Sequence, residues 1–385
     1  MIPPSDTTNY HLSYDTFELR TRIETIFQQA KQQQMKTSSH LISLARKRLT
    51  APIPNLVFRF SSSSTTNNNP ASTRIDSNTN KERVTIQHLP NGIHHVQLNR
   101  PDKLNALDME MFRALADAAR QLKKDKSVRA IILSGKGRAF CTGLDVKSII
   151  SPWSTDDSYK ITSPTAKMDE LMEKPSRSRR EHDNDNEGNE TQETVQDLYK
   201  RVRAVGNLAQ DIAYLWRDIP VPVIAVLNGL CLGGGLQLAL GADLRYATPD
   251  CKLSVMEAKW GLIPDMSASI TMRELVRIDV AKELTFTGRI VDGVEAERLG
   301  LVTRCCENPM EEAMKWAEMI VSRSPDSIAG AKMLYQRTWV SSEKECLETE
   351  TVIQERLLKS WNQIAASAKN FGINAPYKER QDFDD

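Results

Sequence analysis

The chain has 385 residues, 40% of them hydrophobic, and 51 basic against 50 acidic side chains give a formal net charge of +1. That length admits one large domain with tails, or two domains, and the even charge gives no electrostatic reason to expect a nucleic acid partner. Six cysteines (Cys141, Cys231, Cys251, Cys305, Cys306 and Cys346) make neither a CxxC pair nor a regular framework, which argues against a disulfide scaffold and for reduced, mostly buried thiols.

In chain order, residues 1–80 read as lying outside the folded core. The stretch SSSSTTNNNPASTR (61–74) is polar and of low complexity, with too little apolar surface to offset chain entropy. From Met35 to Ile75 the chain carries Lys36, Arg46, Lys47, Arg48, Arg59 and Arg74 among many serines and threonines, with no acid before Asp76. That is the composition of an organelle transit peptide, with a plain disordered tail as the alternative. Asp6, Asp15, Glu18 and Glu24 break the pattern upstream, as they would if translation began at Met35. A mitochondrial address is expected from the transit-like composition, and a peroxisomal one is not supported, since QDFDD at the end is not a Ser-Lys-Leu-like tripeptide.

A folded core is expected over 83–275. VTIQHLPNGIHHVQLN (84–99) is two alternating runs about a Pro-Asn-Gly turn, a hairpin signal. Met109, Phe112, Leu115 and Ala119 lie on one helical stripe, and VRAIILSG (128–135) reads as a buried strand. Residues 151–196, including PSRSRREHDNDNEGNETQE, are dense in charge of both signs and are expected to loop out as an insertion. A helix is predicted around 196–217, then a strand over VPVIAVLNG (221–229), a helix over 236–242, and a helical region over 276–385.

Residues 221–242 carry no charge across a length that could cross a bilayer, but five glycines, a proline, Asn228 and Gln237 favour a buried strand, loop and helix, and no membrane span is expected. Within this stretch Gly233, Gly234 and Gly235 follow a strand. They lack the GxGxxG spacing and the ribose-binding acid of a dinucleotide fold, and no Lys-Ser/Thr follows to make a P-loop. A second small-residue turn, GRAFCTGLD (137–145), follows the strand at 128–135. Either can be a tight turn alone; together, two peptide N–H groups converging on one oxygen would make an oxyanion hole for a carbonyl substrate.

These stretches with their surroundings resemble the crotonase (enoyl-CoA hydratase/isomerase) superfamily: LNRPDKLNALDMEM (98–111), GRAFCTGLDV (137–146), PVPVIAVLNGLCLGGGLQLALGADLRYAT (220–248) and FTGRIVDGVEAERLGLVTR (286–304). The resemblance covers roughly 83–150 and 197–360. It implies an α/β fold, a spiral of ββα units with a helical C-terminal region, assembled as a homotrimer or homohexamer. It also implies an acyl-CoA thioester as substrate, coenzyme A entering as part of it, with no separate cofactor and no metal. The thioester oxygen would take hydrogen bonds from the backbone N–H groups of Cys141 and Gly234, with Thr142, Gly143, Leu144, Asp145, Gly233 and Gly235 around the thioester. Cys141 as a nucleophilic thiol is disfavoured, because no partnering histidine motif is visible.

In family hydratases a glutamate stands two residues after the third glycine and another twenty positions later. Here the first position is Gln237 and the second is Glu257. An amide can hold a water but cannot accept its proton, which disfavours two-glutamate hydration. Asp265, eight residues after Glu257, resembles the acid of the dienoyl-CoA isomerase branch, although that branch usually has an aspartate where Gln237 stands. Asp265 can also be read as a surface or helix-capping residue. Double-bond isomerisation in fatty-acid β-oxidation, with Glu257 and Asp265 moving protons and Gln237 fixing geometry, is therefore preferred. Hydration or other acyl-CoA lyase chemistry, and an inactive acyl-CoA-binding or assembly module, are the alternatives.

Overall fold

A computed structural model describes residues 82–146, 170–172 and 206–383. The expected targeting region, 1–80, lies outside them, as does most of the 151–196 segment.

Strands β1 (Val84–His88) and β2 (Ile93–Leu98) pair antiparallel, Val84 opposite Leu98, about a turn in which Asn91 and Gly92 take φ of 62° and 77°. Helix α1 (Met109–Lys124) starts where Asp108 accepts the Met111 N–H, a cap worth about 1 kcal/mol. Strand β3 (Ala130–Gly135) lies parallel to β2. Helix α2 (Leu208–Asp218) opens with a capping box between Asn207 and Gln210 and leads into β4 (Val223–Leu227), parallel to β3. Then come β5 (Leu230–Leu232), α3 (Gly234–Leu240), β6 (Leu244–Ala247) and β7 (Lys252–Ser254). Helices α4 (Ala268–Leu275), α5 (Ile278–Thr287) and α6 (Gly293–Leu299) precede β8 (Arg304–Cys305). The described chain closes with α7 (Pro309–Val321), α8 (Pro325–Thr338), α9 (Glu343–Leu358) and α10 (Trp361–Asn370).

Six strands form one sheet in the order β1-β2-β3-β4-β6-β8, and β5 pairs with β7 in a small parallel sheet. Period-2 alternation sends the side chains of β3 and β4 to both faces. Ile131, Leu133, Val223 and Ala225 join Phe112, Leu115, Ile212 and the fully buried Trp216 in the main core. Ile132, Ala130, Ile224 and Val226 pack against Ala313 and Ala317 of α7. Burial on both faces is why these strands read as continuous apolar runs. The uncharged 221–242 stretch is β4, β5 and α3, and no helix among the described residues is long and apolar enough to cross a membrane.

Three expectations change. Helix α3 begins at Gly234, two residues early, because Gly233 turns the chain at φ 51°, ψ −123° and the next two glycines are already helical. The 151–196 segment does not simply loop out: Leu171 is buried in the main core, and Glu170 accepts from both Nε and Nη2 of Arg113. The helical C-terminal region ends at Asn370, and residues 371–383 fold back without helix. Arg380 Nη2 donates to the carbonyls of Lys123 (2.6 Å) and Asp125 (3.3 Å) at the end of α1. The Gln381 N–H donates to Asp326, and Phe383 packs with Ala329 and Ile353.

Candidate active site

Two loops meet beyond the ends of β3 and β4. The first is held from below by the turn at 100–107, where Leu104 and Asn105 take φ of 52° and 56°, a strained pair for side chains other than glycine. Buried Asn105 fixes it: its Nδ2 donates to the carbonyls of Lys136 (3.1 Å) and Ala139 (2.9 Å), and its Oδ1 accepts the Arg100 N–H. The Leu107 N–H then donates to Gly143 O at 2.8 Å, and the Asp145 N–H donates to Leu107 O at 3.0 Å. Leu144 sits between these two bonds, so strand alternation turns its own N–H away from Leu107.

The second loop is Gly233–Gly235. The Gly233 N–H donates to Ser254 O, and Gly234 opens α3, where a first-turn N–H has no intrahelical acceptor. The loops touch: a Cβ on Gly143, at φ 82°, would lie 3.2 Å from Gly234 N and 2.8 Å from Leu232 O. The N–H groups of Leu144 and Gly234 donate to no acceptor among the described residues.

Facing these amides is Glu257, at the start of a single 3-10 turn (Glu257–Trp260) after β7. It is 8% exposed and Gln237 is 2% exposed. Gln237 Nε2 donates to Glu257 Oε1 at 2.6 Å, and the Met266 N–H donates to Gln237 Oε1 at 2.8 Å. Glu257 Oε2 is buried and has no hydrogen-bond partner among the described residues. Burial pushes the Glu257 carboxyl above its ordinary range, and the nearby charge of half-buried Asp265 pushes the same way. Burial raises Asp265 as well. A carboxyl destabilised as an anion, facing two N–H groups that have no acceptor among the described residues, is an arrangement able to move protons next to a polarised carbonyl.

The cavity, about 130 Å³, is lined by Thr142, Gly143, Leu144, Val146, Gly233, Gly234, Met256, Glu257, Trp260 and Leu262. The described residues contain no group of three or more His, Cys, Asp or Glu able to hold a metal ion.

The enoyl-CoA hydratase/isomerase family pattern matches residues 184–384, more than half of the chain, and a second pattern of the same description matches 93–177. The chain belongs to the enoyl-CoA hydratase/isomerase family. Its relatives include the mitochondrial Delta(3,5)-Delta(2,4)-dienoyl-CoA isomerase of Mus musculus, 28% identical over 67% of this chain and 70% of that protein. The mitochondrial methylglutaconyl-CoA hydratase of Homo sapiens is also 28% identical, over 72% of this chain and 74% of its own. An enoyl-CoA hydratase crystal structure from Bacillus anthracis shares the fold at TM-score 0.60 and 23% identity, covering 77% of this chain and 99% of that one. The family fold expected from the sequence is therefore the fold found.

Within this enoyl-CoA hydratase/isomerase site the expected residues divide. Glu257, Thr142, Gly143, Leu144, Gly233 and Gly234 line the cavity, and Gln237 backs Glu257. Asp265 is close enough for its charge to act on Glu257 but does not line the cavity. Nor does Asp265 cap α4, whose N-cap is Ser267. Cys141 is a correction: its N–H donates to Leu230 O and its carbonyl accepts from Leu232 N, both 3.0 Å, so its backbone is committed to β5. The amide of that loop that lines the cavity with no acceptor among the described residues is Leu144, three residues on. Gly235 packs against the Cys141 backbone, where a Cβ would meet Cys141 O at 2.4 Å, and Asp145 pairs with Arg100 instead of lining the cavity. The sequence reading also missed Val146, Met256, Trp260 and Leu262, apolar neighbours of motif positions.

Proposed function

We propose that this protein shifts double bonds along unsaturated acyl-CoA thioesters. The Leu144 and Gly234 N–H groups hold the thioester oxygen, Glu257 removes the C2 proton as general base, and the C–H electron pair is delocalised onto that oxygen as an extended enolate (a dienolate from a 3-enoyl ester, a trienolate from a 3,5-dienoyl one). Protonation farther along, at C4 of a 3-enoyl or C6 of a 3,5-dienoyl ester, completes the shift. Glu257 can return that proton itself, or Asp265, whose carboxyl burial raises above its ordinary range, can supply it. Coenzyme A enters as part of the substrate, and the scheme asks nothing of a metal or a further cofactor. The observation that carries this reading is the clamped Gln237 amide, which holds one oxygen of Glu257 and has no proton affinity of its own for activating water.

The test is to offer 3,5-dienoyl-, 3-enoyl- and 2-enoyl-CoA esters to the wild-type protein. Isomerisation of one of the first two, with slow hydration of the third, is the expected result; rapid hydration would overturn it. Assembly as a homotrimer or homohexamer fits the exposed apolar side chains Ile278, Phe286, Ile290 and Val294, and a mass measurement giving only monomer at micromolar concentration would count against it. A mitochondrial location is supported by the composition of residues 35–75 and by the two mitochondrial relatives. Mapping the mature N-terminus by mass spectrometry, expected well after Met35, checks it.

A further inference from the structure

Arg100 lies outside the cavity, yet three of its contacts converge on the bridge that presents Leu144. Its Nη1 donates to Asp145 Oδ2 at 2.8 Å and to Ala106 O at 3.0 Å, and its Nε lies 3.3 Å from Asp108 Oδ2. Ala106 and Asp145 are the residues before Leu107 and after Leu144, the bridged pair. One guanidinium therefore spans the same two segments that the Leu107–Gly143 and Asp145–Leu107 backbone bonds join, and ties them to the cap of α1 through Asp108. Arg100 and Asp145 are each largely buried, with side-chain exposures of 13% and 16%, which makes their Nη1–Oδ2 contact less screened than one in open solvent. It thereby reinforces the two backbone bonds that, next to a strained turn, set where the Leu144 N–H points.

We infer that Arg100 and Asp145 are positioning residues for the oxyanion amide of Leu144, setting how strongly the bound thioester carbonyl is polarised without touching the substrate. The inference rests on the oxyanion role given above to Leu144 and Gly234. Its physical content is distance sensitivity: a preorganised N–H donor stabilises developing charge steeply with geometry, and a shift of about 1 Å can cost on the order of a hundredfold in rate.

The probe is a conjugated 2,4-dienoyl-CoA, whose absorption moves to longer wavelength when its carbonyl is polarised. Wild type, Arg100→Met and Arg100→Lys are titrated with it and assayed for isomerisation, with thermal unfolding as a control for folding. The expected result for Arg100→Met is a kcat lowered tenfold to a hundredfold, a KM changed by less than about threefold, and a red shift largely lost. Arg100→Lys, which keeps the charge but not the fork that reaches two acceptors at once, is expected to recover part of both and carries the test alone if Arg100→Met does not fold. A red shift unchanged in either folded variant would overturn the clamp while leaving the oxyanion reading intact. Absence of any red shift in a wild-type protein that binds the ester would overturn both.

Discussion

Gln237 holds Glu257 by one carboxylate oxygen only: its Nε2 donates to Oε1 at 2.6 Å while its own Oε1 accepts the Met266 N–H at 2.8 Å. The amide thus joins the acid to the residue following Asp265 and leaves Oε2 as the oxygen without a partner among the described residues.

Gln237→Glu would set a second carboxyl at hydrogen-bond distance from Glu257. Two such acids share a proton and titrate as a pair, one of them pushed well up. The variant is expected to gain hydration of 2-enoyl-CoA, and the acid limb of its isomerase pH profile should move to higher pH. Stopped-assay rates across pH check both.

Glu257→Gln keeps an acceptor for Gln237 Nε2 and removes the base, so kcat for isomerisation should fall about a hundredfold or more. Stability should respond in a defined direction. The folded-state carboxyl is held above its unfolded value, so its stabilising contribution is present below the unfolded value and is lost as pH rises through the folded one. The variant should therefore gain in Tm relative to wild type between acidic and mildly alkaline buffers; a constant difference would contradict this.

Asp265→Asn removes a charge that raises the Glu257 carboxyl, so the acid limb of kcat/KM should move toward lower pH. If Asp265 returns the proton on dienoyl esters, their isomerisation falls about a hundredfold while 3-enoyl turnover survives. Equal turnover of both substrates would leave Glu257 as the single shuttle.

Cys141 is fully buried, and burial pushes its thiol up to about 12. No thiolate forms at neutral pH, so Cys141→Ala is expected to keep kcat within a few-fold. Brief iodoacetamide treatment of the native protein should leave Cys141 unlabelled by peptide mass mapping.

The glycine loops, Glu257 and Gln237 were legible because their spacing matches a family motif, with Gln237 standing out as an amide where that motif carries an acid, and the structure brings them together. The amide proposed as oxyanion donor was not legible. Whether Cys141 or Leu144 offers its N–H depends on which amides the β-bridges consume, and the Cys141–Cys231 and Leu107–Leu144 bridges decide this across long separations. A backbone N–H carries no side-chain signature, so the motif located the loop without locating the atom. The sheet strands were readable from their apolar runs, whereas the fold-back at 371–383 was hidden behind charge: Arg380 is buried because two helix-end carbonyls receive it, and no local pattern encodes those carbonyls.

That fold-back also has a bearing on how the chain matures. Arg380 meets Lys123 across 257 positions of sequence. Closing so wide a loop is entropically late in folding, and during synthesis the two partners cannot meet until residue 380 has left the ribosome. The carbonyls at the end of α1 therefore remain hydrated through most of translation, and the nascent domain stays unlatched at that corner until nearly all of it has been made.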